Sequence, residues 1–167
     1  MKPQTIFNKD IKNKRMYITR EFAAPIANVC QAWTDSKLLD QWWAPRPFRA
    51  ETKRMDFREG GQWLYAMVGP DNSRMYAKMD YLKIVKQDYF TCIDGFADEN
   101  GNDTNELPSM DWTCRFASSP NGTRVEVDVI FKTEADLIKI AELGFQEGFT
   151  AAHGNLDELF ASHKVLA

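Results

Sequence analysis

The sequence predicts an α+β fold in which a curved antiparallel sheet of six or seven strands wraps around one long C-terminal helix. Short alternating runs of apolar and polar residues fill residues 60–131, and polar turn sequences such as GPDN and SPNG separate them. The last run, residues 123–131, alternates apolar and charged residues, which indicates a sheet with one buried and one solvated face. After this run the apolar period becomes helical.

The N-terminal part of the predicted fold contains one strand and two short helices. The strand is the alternating segment MYITREF, at residues 16–22. Pro25 opens a helix over residues 25–33, because a proline is tolerated in the first helical turn. The second helix is DSKLLDQWW, with Asp35 or Ser36 as its N-cap. Two short helices are therefore expected after the first strand.

The C-terminal segment predicts a long amphipathic helix over about residues 146–162. Thr133 and Asp136 have the spacing of a capping box at the start of this helical region. Glycines nearby predict a break at residues 143–145. The apolar stripe that must face the sheet consists of Phe145, Phe149, Ala152, Leu156, Leu159 and Phe160.

Composition restricts the class of protein. A chain of 167 residues predicts one domain, which we place at residues 15–163, preceded by an N-terminal extension at 1–14 that can add a strand. The net charge of −3 argues against nucleic acid as a partner. Three cysteines without CxxC spacing and no recognisable signal peptide predict a cytoplasmic protein. No apolar run is long enough to predict a membrane span.

The candidate motifs for a metal or a cofactor each depart from the pattern that such a site requires. His153 and His163 have no Cys or carboxylate at zinc-ligand spacing, and no serine lies in a nucleophile elbow. The paired glycines of REGGQW precede a strand, so they do not form a phosphate loop. In the loop DENGNDTNE, Asp103 stands where a calcium loop needs glycine. We therefore expect no cofactor and no metal.

Four segments resemble the SRPBCC (START-like) superfamily. They are ITREFAAPIANVCQAWTDSKLLDQWWAP, MDFREGGQWLYAMVGPDN, FADENGN with LPSMDW, and LGFQEGFTAAHGNLDELF, in this order over about residues 15–162. Within the superfamily, the chain is most similar to the single-domain bacterial proteins named for homology to the activator of the heat-shock-protein-90 ATPase. The resemblance implies a helix-grip fold with an internal apolar cavity. It also implies that His153 stands where relatives commonly have leucine.

Residues that point between sheet and helix are the candidates for lining this cavity. One ring of the Trp42-Trp43 pair is expected to fill the core beside Trp33 and the other to lie at the cavity rim, although both rings can be packing residues. Most of the remaining candidates are expected to be core, with a few lining the void. The cavity candidates are Arg20, Trp43, Trp63, Tyr65, Met67, Trp112, Phe145, Phe149 and His153.

Two of these candidates, Arg20 and His153, leave alternatives open. Arg20 shares strand parity with Ile18 and Phe22, so it points inward unless a bulge turns it to solvent, and a buried guanidinium needs a carboxylate or an anion. His153 lies on the inward half of the last helix. We expect it to be partly buried and hydrogen-bonded to a strand group, with a role as catalytic base as the alternative.

Three classes of function remain. The first is a binding protein whose cavity holds a small hydrophobic or aromatic ligand, which we prefer to an enzymatic role. The second is a cyclase or hydrolase that uses polar residues of the cavity. The third is a chaperone-binding module, which the family name suggests, although we expect no second domain like that of the two-domain eukaryotic activators. Six basic residues among the first twenty and seven acidic residues between Lys86 and Arg115 are typical of a solvated tail and loop, which we prefer. The alternative is an electrostatic docking surface, either for a second copy in a homodimer or for a chaperone.

Overall fold

The computed structural model describes residues 4–162, which form one sheet of eight strands and four helices. The strands are β1 (Ile6–Asp10), β2 (Arg15–Phe22), β3 (Arg49–Met55), β4 (Gln62–Val68), β5 (Arg74–Val85), β6 (Tyr89–Ala97), β7 (Met110–Ser119) and β8 (Gly122–Ile130). The helices are α1 (Ile26–Thr34), α2 (Ser36–Trp42), α3 (Glu134–Glu142) and α4 (Phe145–Ala161).

All strand pairs are antiparallel. The order across the sheet is β1-β2-β8-β7-β6-β5-β4-β3, so the chain from β3 to β8 is a continuous meander and β8 returns to pair with β2. The predicted α+β helix-grip fold is confirmed, because the long helix α4 packs its apolar stripe on one side of this sheet. We call that side the inner face.

The strand count is higher than predicted. Residues 6–10 form β1, which pairs with β2 from Ile6 opposite Thr19 to Asp10 opposite Arg15. Because β1 precedes the strand that was expected to be the first, the two short helices follow the second strand. β1 is mostly exposed and has no clean apolar alternation, so its hydrophobic pattern does not reveal it. It forms because the edge of β2 offers unpaired backbone groups.

Local capping sets the ends of the helices. Asp35 accepts a hydrogen bond from the backbone N–H of Lys37 (2.9 Å) at the start of α2. Thr133 accepts one from the backbone N–H of Asp136 (3.0 Å) at the start of α3. Gly144 then adopts φ 89°, a left-handed conformation that ends α3 and allows α4 to begin in a new direction. The break therefore lies where the glycines predict it.

The inner face is filled at one end by aromatic side chains. Phe22 contacts Trp33 and Phe160 edge to face, with ring centroids 6.5 and 6.0 Å apart. At the other end α3 and the first turns of α4 do not fill the space above the strands, and a pocket remains there. Among residues 4–162, no helix has the length and hydropathy required to cross a membrane.

Candidate functional site

The pocket has a volume of about 360 Å³ and lies between β4–β7 and helices α3 and α4. Its walls are mainly apolar and aromatic side chains. Met75 and Leu143 are exposed and therefore lie at its mouth. The lining residues are Trp43, Pro45, Tyr65, Met67, Met75, Ala77, Asp94, Phe96, Leu107, Met110, Trp112, Ile140, Leu143, Gly144, Phe145, Gly148 and Phe149.

The two adjacent tryptophans have different surroundings. The ring of Trp42 is fully buried against Trp33, 4.8 Å between centroids, and its indole N–H donates to the carbonyl of Ala32 (2.9 Å). Trp43 lines the pocket, and its indole N–H donates to the hydroxyl of Tyr65 (2.9 Å). Asn155 on α4 donates to the carbonyl of Ala44 (2.9 Å), which fixes the end of α2 to the long helix. This contact holds Trp43 over the pocket.

The helix side of the pocket is made by one face of α4. Phe145 stacks on Trp112, with centroids 6.2 Å apart and ring planes inclined by 10°. Phe149 meets Trp112 edge to face at 5.7 Å. Gly148 lines the pocket on the same helix without a side chain, and a Cβ there would lie 3.6 Å from Cγ of Pro45. The missing side chain leaves part of the pocket open.

Asp94 is a charged lining residue that is not among the candidates predicted from the sequence. It lies on β6 with its carboxyl toward the inner face, and it is 8% exposed. Burial raises its pKa to about 8. The signal is visible in YFTCIDGFA, where Asp94 shares strand parity with Phe90 and Cys92. A carboxylate at a position expected to be apolar marks a buried polar group.

Tyr65 is the second polar group of the pocket. Its ring stacks on Trp63 with centroids 4.1 Å apart, and burial together with the nearby Asp94 raises the pKa of its phenol far above the ordinary value. The phenol therefore stays neutral and acts only through hydrogen bonds. Trp63 itself lies behind Tyr65, where its indole N–H donates to the hydroxyl of Thr52 (3.0 Å).

Three predicted cavity residues, Arg20, Trp63 and His153, do not line the pocket. Arg20 points to the inner face without a bulge in β2, and it pairs with the carboxylate of Asp157 on α4. His153 is 1% exposed and lies behind Phe149, 4.2 Å between ring centroids. The other six candidates, Trp43, Tyr65, Met67, Trp112, Phe145 and Phe149, do line it.

A polar chain connects Arg20 to His153. The hydroxyl of Thr5 accepts from Nε of Arg20 (3.3 Å) and is 2.7 Å from Nδ1 of His153. Nε2 of His153 is buried and has no partner within residues 4–162. Burial, and then the positive charge of Arg20, lower the pKa of His153 to about 3. The imidazole is therefore neutral and lies outside the pocket.

A second cavity of about 440 Å³ lies between α1 and the β5–β6 hairpin. It contains none of the residues that the sequence predicts for a site. Cys30 lines it, and burial raises the pKa of this thiol to about 11, so the thiol is not an activated nucleophile. Among residues 4–162, no three His, Cys, Asp or Glu side chains are grouped closely enough to hold a metal ion.

Comparison with known proteins identifies the family. A family profile described as "Activator of Hsp90 ATPase homolog 1-like protein" matches residues 23–161. None of the curated proteins matches the chain.

Solved structures of bacterial proteins are similar over almost the whole chain. A solution NMR structure from Arthrobacter aurescens is 30% identical with a TM-score of 0.87, covering 94% of this chain and 91% of that one. A crystal structure from Mycobacterium smegmatis is 29% identical with a TM-score of 0.86, covering 94% and 96%. A solution NMR structure from Staphylococcus epidermidis is 26% identical with a TM-score of 0.82, covering 93% of each chain. This protein therefore belongs to the family of activator of Hsp90 ATPase homolog 1-like proteins.

Proposed function

We propose that this chain is a cytoplasmic protein that binds a small hydrophobic ligand in the pocket between β4–β7 and α3–α4. The observation that carries the proposal is the composition of this pocket, since rings and aliphatic side chains form its walls and few polar groups enter it. Ligand sites of proteins have this character, with polar groups that fix the orientation of the ligand. The three buried free thiols, Cys30, Cys92 and Cys114, suit a reducing compartment.

Pocket size supports a ligand of one to three rings. A ligand that buries roughly 300 Å² of apolar surface gains about 7 kcal/mol before the entropic cost of association. A micromolar dissociation constant requires a net gain of about 8 kcal/mol, so apolar burial alone supports only affinities weaker than micromolar. The exposed side chains of Met75 and Leu143 provide an apolar entrance.

Filling the pocket tests the proposal. Gly148→Leu adds a side chain beside Pro45, whereas Gly154→Leu adds the same side chain to the exposed side of α4, where a Cβ meets nothing within 4 Å. Both variants gain the same helix propensity. We expect the neutral dye N-phenyl-1-naphthylamine to bind the wild type and the Gly154 variant, with at least tenfold weaker binding to the Gly148 variant. Fluorescence titration measures this difference.

Ala77→Leu fills the same pocket from the sheet and provides a second test if the helix variant does not fold. Circular dichroism controls for the fold of each variant. Equal binding by wild type and both filled variants would place the dye elsewhere and contradict the proposal. The other predicted roles, a chaperone-binding module and a cyclase or hydrolase, stay predictions, as does a homodimer. The family description bears on the chaperone, and a pull-down with Hsp90 tests it separately.

A further inference from the structure

We infer that the pocket selects ligands that combine an apolar body with a protonated amine. This inference rests on the proposed function, because it names the class of ligand for the same pocket. It follows from the position of Asp94 and from the aromatic rings around it.

Asp94 is a buried acid that the protein does not satisfy. Among residues 4–162 its carboxyl has neither a hydrogen-bond donor nor a basic partner, and burial is the only cause of its shifted pKa. The buried Lys and Arg side chains of residues 4–162 are Lys78 and Arg20, and both pair with other carboxylates. Lys78 is held by Asp80 and Asp103 at 2.9 and 2.8 Å, and Arg20 is held by Asp157. Buried polar groups in proteins are normally paired, so an unpaired carboxyl facing a cavity suggests a partner on the ligand.

The walls around this carboxyl favour a cation. Trp43, Trp112 and Tyr65 line the pocket together with Phe145 and Phe149. The faces of such rings attract an ammonium group through the ring quadrupole. An ammonium would also form a charge-assisted hydrogen bond with the carboxylate. An anionic ligand would meet Asp94 without any compensating base, because the lining side chains include no Lys, Arg or His.

Titration of Asp94 gives the interaction a specific dependence on pH. The titratable groups that face it from the sheet are Tyr65, Tyr81 and Cys92, and burial raises the pKa of all three, so they stay neutral from pH 6 to 8.5. The residues of α3 and α4 that line the pocket carry no titratable group. The charged side chains of the neighbouring strands, which include Lys78 and Asp80 on β5 and Asp111 and Arg115 on β7, lie at the opposite face of the sheet.

An ammonium ligand binds the ionised carboxylate, so below about pH 8 its binding must release the proton of Asp94. Affinity for an amine should therefore rise with pH, by up to tenfold per pH unit, until Asp94 is ionised in the free protein. A neutral ligand of the same shape should show no such rise. A carboxylate ligand should weaken as pH rises.

Three indole probes with matched bodies test the inference: tryptamine, tryptophol and indole-3-propionate. Isothermal titration calorimetry at pH 6, 7 and 8.5 measures their affinities for the wild-type chain. At pH 8.5 we expect tryptamine to bind at least tenfold more tightly than tryptophol, and indole-3-propionate to bind most weakly. In Asp94→Asn the preference for the amine and its rise with pH should both be lost.

The matched control is Asp111→Asn, which removes an exposed carboxylate from the other face of the adjacent strand β7. This variant should keep both the preference and the pH dependence. If the Asp94 variant does not fold, the wild-type pH profiles still decide. Tryptophol binding as tightly as tryptamine at pH 8.5 would overturn the inference and leave the proposed function standing. A preference that persists in Asp94→Asn would also overturn it. If none of the three probes binds a chain that binds N-phenyl-1-naphthylamine, the inference fails and the proposed function stands; if the dye does not bind either, both fail.

Discussion

Arg20 on β2 and Asp157 on α4 form an ion pair that joins the sheet to the long helix, with the guanidinium only 5% exposed. The guanidinium also donates to the carbonyl of Glu21 (2.6 Å) and lies 4.8 Å from the ring centroid of Phe22. The carboxylate is 38% exposed, so the pair is buried mainly on the arginine side. Removing the carboxylate would leave a buried positive charge without its partner.

We predict that Asp157→Asn lowers the free energy of unfolding by about 1–3 kcal/mol, because the buried guanidinium of Arg20 loses its counter-charge. The cost stays moderate because the side chain of residue 157 is partly hydrated. The adjacent Glu158 provides the control, since it pairs with Arg46 at the surface, where the two side chains are 63% and 65% exposed. Glu158→Gln should change the free energy of unfolding by no more than about 0.5 kcal/mol. Urea unfolding of both variants measures the difference, and equal effects would refute the structural role of Arg20.

His153→Leu should retain the fold and the uptake of ligand, because the imidazole lies outside the pocket. Its folded-state pKa of about 3 lies below the ordinary value of 6.5, so the unfolded chain takes up this proton first on acidification. The stability that the neutral imidazole contributes is therefore fully present above pH 6.5 and is lost as the pH falls toward 3. His153→Leu has no imidazole at this position, so its stability does not fall for this reason. Between pH 6.5 and 4.5 we expect the wild type to lose about 2 kcal/mol relative to the variant.

Denaturant unfolding at the two pH values measures this relative loss, and ligand titration accompanies it. At neutral pH the two chains should differ by no more than about 1–2 kcal/mol, because the variant gives up the hydrogen bond to Thr5 but also removes the unpaired Nε2. Loss of a measurable activity with the fold intact would instead point to a catalytic role. A constant difference between the chains at both pH values would show that the imidazole titrates normally.

Asp94→Asn should change the pH dependence in the opposite direction. The folded-state pKa of Asp94 is raised to about 8 from 3.8, so the unfolded chain releases the proton first as the pH rises. The stability of the neutral buried acid is complete below pH 3.8 and is lost as the pH rises toward 8. Between pH 5 and 8 the asparagine variant should gain up to about 4 kcal/mol over the wild type. Denaturant unfolding across this pH range measures the difference. If the stabilities of the wild type and of Asp94→Asn change with pH in parallel, the carboxyl of Asp94 is hydrated and the prediction is wrong.

Gly122→Ala should destabilise the chain by about 2–4 kcal/mol. Gly122 adopts φ 151°, and an added Cβ would lie 2.1 Å from the carbonyl oxygen of Phe22, which is backbone and cannot move aside easily. Gly154→Ala is the control, because Gly154 lies within α4 with open space around it, and it should raise stability by about 0.5–1 kcal/mol. Thermal unfolding distinguishes the two glycine variants. Similar melting temperatures would contradict the close contact between Gly122 and the carbonyl oxygen of Phe22.

Local sequence patterns determined most of the fold. The strands from β4 to β8 are visible because alternation places one set of side chains on each face of a sheet. The cap at Thr133 and the turn at Gly144 are equally local, since each depends on the backbone within a few residues. The stripe on α4 follows from the helical period. These features need no information about distant parts of the chain.

The tertiary structure decided everything that depends on distant residues. β1 exists because the edge of β2 was available, not because of its own pattern. Arg20 points inward as its parity allows, but only the packing of α4 brings Asp157 to it from 137 positions away. Trp63 and Tyr65 share a strand face, yet Tyr65 reaches the pocket and Trp63 does not. The volume left between sheet and helix, and the burial that shifts the pKa of Asp94, are properties of packing that no local pattern encodes.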